Sequence, residues 1–139
     1  MTNRELQRLA NKWLVRLRLS DWDVFIRFAK KGEDEDCWGI CFPSPTTREA
    51  LIVIQNPCYF TEPHPDHYNA DVEVTLLHEI LHIHFAPFNH INNSMKGRVE
   101  EVIVSHLSQL LVALDRGDET LINPAAPRRL SRVARFTKV

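Results

Sequence analysis

Residues 78 to 82 read His-Glu-Ile-Leu-His, two imidazoles four positions apart with a carboxylate beside the first. On an α-helix four residues turn through about 400°, so both rings stand on one face, one turn apart, which is the placement two zinc ligands need. Glu79 falls at the edge of that face, where it reaches a water beside the metal rather than the metal itself, and it is the candidate general base. The alternative is a pair of core histidines bonded to backbone carbonyls. Within a helix those carbonyls are already taken, and two buried rings plus a carboxylate would be costly without a partner. The residue types therefore point to a metal centre.

A hydrolytic zinc site takes three protein ligands and leaves a position for water, so a third ligand is expected. Glu100 and Glu101 stand near the start of the next predicted helix, with His106 further along it. With Val99 at 0°, the apolar stripe of that helix centres near about 40°, Glu100 lies at about 100°, Glu101 at about 200° and His106 at about 340°. If the apolar stripe is the buried face, Glu100 borders it, Glu101 points to solvent and His106 borders the opposite edge. Glu100 is accordingly the favoured third ligand, ahead of Glu101 and His106. His84 lies about 200° around the helix from His82 and cannot share its metal. His64, His67, Tyr68 and His90 fall in loops, where an exposed side chain is the default and a contact to substrate or an oxyanion is the alternative. Cys37 and Cys41, four apart, would share one face of a strand, a weaker metal pair set against the commoner buried free thiol.

The elements that must position these groups follow from periodicity. Thr2 with Glu5 has capping-box spacing, and Leu6, Leu9, Trp13, Leu14 and Leu17 follow at helical intervals, predicting an amphipathic helix over 3–19. Strands are predicted at 21–29, where Trp22, Val24, Ile26 and Phe28 alternate with Asp23, Phe25 and Arg27, then at 37–42 and 49–55. Their connection is expected to be a meander, giving a small, largely antiparallel sheet. From Asp71 to about Ala86 there is no glycine or proline, and apolar residues populate nearly every side of the wheel, so the helix carrying both histidines is expected to be buried all round. A last helix runs from about 95 to 115 and ends near Gly117.

The chain has 139 residues, 44% hydrophobic and 25% charged, which fits a single α+β domain over 1–118 followed by a basic tail, 119–139. A net charge of −1 gives no overall field for nucleic acid or an anionic membrane. The tail alone, with Arg128, Arg129, Arg132, Arg135 and Lys138 and no acid over 122–139, offers a local basic contact, and its Leu130, Val133 and Phe136 could dock on the domain. Three cysteines, an odd number, suggest reduced thiols. The charged N-terminus lacks a signal-like apolar run and no stretch approaches the roughly 18 apolar residues of a membrane span, so a cytoplasmic protein with no membrane partner is expected.

HEILH, with 17 residues between His82 and Glu100 on the next helix, resembles the gluzincin metallopeptidases, which pair HExxH with a downstream glutamate. The order of one helix, a small sheet, the "LLHEILH" helix and a helix opening "RVEEVIVSHL" looks like the minimal zincins of phage and prophage proteins and of the SprT-like and ImmA/IrrE-like groups. The resemblance implies Zn2+ on His78, His82 and Glu100, with Glu79 as general base in hydrolysis of a peptide or protein substrate. It departs from the metzincins, since Phe85 and Phe88 stand where their glycine and third histidine do. Two rival readings remain: a zinc-stabilised binding protein without efficient turnover, and a nucleic-acid-associated protein that works through the tail.

Overall fold

The structure, a computed structural model, describes residues 1–59, 71–88 and 94–118. In chain order these form α1 (Asn3–Arg16), β1 (Asp23–Phe28), β2 (Gly39–Ser44), β3 (Glu49–Ile54), α2 (Val72–Phe85) and α3 (Met95–Asp115). Single 3-10 turns occupy Pro57–Tyr59 and Ala86–Phe88. No helix among the described residues is long and apolar enough to cross a membrane.

The capping box at α1 is formed: Thr2 Oγ1 accepts the Glu5 amide at 3.2 Å, and Glu5 Oε2 accepts the Thr2 amide at 2.6 Å. The helix stops at Arg16, short of the expected residue 19. Arg18 takes a left-handed φ of 59°, its amide bonds the Val15 carbonyl, and the Leu19 amide reaches back to Leu14 at 2.8 Å. This is a Schellman closure built on arginine instead of glycine. It turns Leu19 into the core beside Leu14.

The sheet is mixed, in the order β1-β3-β2, and not the antiparallel meander expected from the sequence. β3 lies in the middle, parallel to β1 in the register Asp23↔Glu49 to Phe28↔Ile54, and antiparallel to β2 from Gly39↔Ile54 to Ser44↔Glu49. Composition explains the order. "EALIVI" is the most apolar strand, and Ala50, Ile52, Val53 and Ile54 are all buried. β2 contains Pro43, which has no N–H to donate to a second neighbour and so belongs at an edge.

One face of the sheet, α1 and α3 enclose α2. Its Leu76, Leu77, Ile80 and Ile83 are essentially inaccessible, as expected of a helix apolar on every side. They pack with Leu6, Trp13 and Leu14 of α1, Ile26, Ile52 and Ile54 of the sheet, and Val104 and Val112 of α3. A charged clasp holds the three helices at the start of α2. Glu73 accepts from Lys12 Nζ (2.8 Å), Trp13 Nε1 (2.8 Å) and Arg116 Nη2 (3.1 Å), and Arg116 also forks onto the N-cap carboxylate of Asp71. Burial pushes the Asp71 carboxyl up, but the Arg116 fork and two helix amides outweigh it and hold it below its ordinary value.

α3 overturns one expectation. Its apolar stripe, Val99, Val102, Ile103, Leu107, Leu110 and Leu114, is exposed, and the face turned inward carries Gly97, Val104, Ser108 and Val112. Those four cluster near about 180° on the wheel that places Val99 at zero. Small residues there let α3 approach α2 closely.

Removing core volume and removing surface volume should separate cleanly. Ile52→Ala, at a fully buried position, is expected to cost about 2–5 kcal/mol in urea unfolding. Phe25→Ala, on the open face of the sheet, should cost less than about 1 kcal/mol.

Candidate metal centre

α2 places His78 and His82 one turn apart, with ring centroids 5.1 Å apart and planes at 68°. Their Nε2 atoms face each other at 3.3 Å. From α3, Glu101 brings Oε2 to 3.2 Å from His78 Nε2 and Oε1 to 2.9 Å from His82 Nε2. The three side chains offer ligand atoms all within 4.8 Å of one another, the one such cluster of histidine, cysteine or acid among the described residues. A tetrahedral zinc with bonds near 2.0–2.1 Å sets its ligand atoms roughly 3.3 Å apart, so the separations fit that ion with little adjustment.

The expected ligand Glu100 stands elsewhere. Its Oε1 lies 2.8 Å from Nδ1 of His82, behind the ring and not among the Nε2 atoms. The cause is the orientation of α3: with its face of small residues turned inward, Glu101 at about 200° meets α2 and Glu100 falls to one side. Glu100 is the more enclosed of the two, with 12% of its side chain accessible against 56% for Glu101. Ser105 Oγ stands 3.5 Å from His78 Nδ1, so α3 addresses the rear nitrogen of both rings. A carboxylate accepting Nδ1–H from His82 selects the tautomer whose Nε2 is free to coordinate. His84 and His106 are exposed and take no part in the cluster. His64, His67, Tyr68 and His90, like the tail, lie outside the described residues.

Glu79 is 7% accessible and lies on the cleft floor between the paired histidines and β2. Burial drives its carboxyl above the ordinary value, partly opposed by the two imidazoles. Gly39 makes room for it. A Cβ at position 39 would sit 2.8 Å from Glu79 Cγ and 2.9 Å from Oε1. No spacing rule in the sequence marks Gly39 or Ser105. The one available signal was the set of small residues at Gly97 and Ser108, which mark the true packing face of α3.

The cleft, about 610 Å³, has β2 as one wall (Gly39 to Cys41), α2 as its floor and Glu100, Glu101 and Ser105 of α3 as the other wall. Cys37 and Cys41 border it as free thiols and do not join the metal-range cluster. Burial and the nearby Glu79 and Glu100 carboxylates push the Cys41 thiol well up, so it stays protonated and is a poor ligand.

No family model matches this chain, and neither the curated proteins nor the solved structures contain a match to it.

Without metal, His82 has two carboxylates to bond. Burial alone would lower its pKa, but Glu101 and Glu100 outweigh that and raise it from 6.5 to about 9. A group whose pKa is higher folded than unfolded stabilises the fold fully below the unfolded value and loses that contribution as pH rises through the folded one. The stability of the chelator-treated protein should therefore fall between pH 6.5 and about 9, and His82→Gln should flatten this window in urea titrations. Gly39→Ala should destabilise by about 1–3 kcal/mol through overpacking against Glu79.

Proposed function

We propose that the chain is a zinc-dependent metallopeptidase of the minimal zincin kind, with His78, His82 and Glu101 holding the metal and Glu79 as general base. The observation that carries the reading is the convergence of two Nε2 atoms, 3.3 Å apart, on the Glu101 carboxylate, whose Oε1 lies 2.9 Å from that of His82 and whose Oε2 lies 3.2 Å from that of His78, beside a buried glutamate in an open cleft. When bound, zinc would supply a Lewis acid for the scissile carbonyl and bring the pKa of water near neutrality. Glu79 takes the proton from the attacking water and passes it to the leaving amine, a task suited to a carboxyl raised by burial. Glu100 orients His82 from behind. An extended peptide would pair with β2, an edge strand among the described residues that borders the cleft.

A second reading has its own support. Among the described residues lining the cleft there is no tyrosine, arginine or lysine to stabilise an oxyanion. That favours a zinc-stabilised binding protein on the same site, with little turnover.

Metal titration and cleavage assays separate the readings. Zinc should bind the native protein with release of the His82 proton, Glu100→Ala should weaken binding about 10–100-fold, and Glu101→Ala should weaken it more. Glu79→Gln should keep the metal and lower peptide cleavage by about 100-fold or more. A native protein that takes up no zinc refutes both readings, whereas zinc uptake with no cleavage by the native protein selects the binding protein.

A further inference from the structure

The outward face of α3 is an apolar stripe on a helix whose interior face is made of small residues. Ile103, Leu107, Leu110 and Leu114 alternate in steps of four and three, the spacing of a seam made for another amphipathic segment, and Val99 and Val102 extend it. Each is between 37% and 55% exposed. Together they leave on the order of 400 Å² of contiguous apolar surface, as large as the biggest patch on an ordinary monomer.

We infer that this stripe is the docking surface for the chain's own C-terminal segment, residues 128–137, which covers Ile103, Leu107 and Leu110 through Leu130, Val133 and Phe136. The inference does not depend on the metal site or on the proposed activity.

Four observations select this occupant. The first is position: α3 closes at Gly117, with φ 68° and the Asp118 amide bonded to Ala113, so the chain leaves α3 at the end of the stripe. The second is reach. Residues 118–127 can span up to about 33 Å. That is enough to bring residues 128–137 back along a helix about 31 Å long.

The third is pattern. After Pro127, Leu130, Val133 and Phe136 fall within about 120° of one another at helical spacing, and Arg128, Arg132 and Arg135 fall on the opposite side. Arg129 alone breaks the separation. The fourth is area. A stable association between separate proteins buries about 800 Å² per partner, twice what the stripe offers. A tethered segment needs less, because its effective concentration is in the millimolar range.

Hydrogen–deuterium exchange on the full chain tests this. Peptides covering 128–137 should exchange at least tenfold more slowly than the same sequence as a free peptide. Leu110→Asp, at an exposed position, should return them to the free-peptide rate while α1 and β3 keep their protection. Phe136→Asp, made from the other side of the contact, should do the same. Free-peptide rates in the native chain would overturn the inference, as would protection of 128–137 that survives Leu110→Asp. A dimer in sedimentation that Leu110→Asp dissolves, with exchange of 128–137 unchanged, would give the stripe to a second copy instead.

Discussion

A helix that is apolar on most of its sides has to be largely enclosed, and α2 carries two imidazoles and a carboxylate into that enclosure. Burying polar groups is tolerable only when each finds a partner, and α2's own carbonyls are occupied by the helix. The partners must therefore come from whatever covers α2 on its polar side. α3 does this with Glu100, Glu101 and Ser105, and its small residues bring it close enough to reach. The sheet and α1 take the remaining sides, where Ile52, Ile54 and Leu6 join the apolar core and Trp13 adds its indole N–H to the Glu73 carboxylate. The division between a dry half and a wet half of one helix organises the whole domain.

The clasp at the start of α2 serves the same end. The Glu73 carboxylate gathers Lys12, Trp13 and Arg116 from the two flanking helices, so α1 and α3 are tied to the same point of α2. The pairs are partly buried and hydrogen-bonded, the circumstance in which ion pairs fix geometry even where their net contribution to stability is modest.

Much of this was legible in the residues. The capping box, the extent of α2 and α3, the three strands and the face shared by His78 and His82 all follow from spacing. Two features did not. Strand order was hidden because hairpin spacing carries no information about which strand is central, and Pro43, which suits only an edge, falls just beyond the strand predicted at 37–42. The position of Glu101, and not Glu100, beside the two Nε2 atoms is not legible from hydrophobicity alone. On α3 the apolar side faces out and the side that meets α2 is made of glycine, serine and valine, so volume and not hydropathy set the packing face.

The contact between Gly39 and Glu79 ties two distant parts of the sequence to one parcel of space. Gly39 is not at a positive φ, so its backbone makes no demand that other residues could not meet; what is fixed is volume. The height of the β2 wall above the floor of the cleft is thus set by the thickness of a carboxylate side chain. Shortening that side chain by one methylene would still leave a carbon at the Cγ place nearest to residue 39, so position 39 stays closed to a Cβ unless the side chain at 79 ends at its own Cβ or turns to another rotamer.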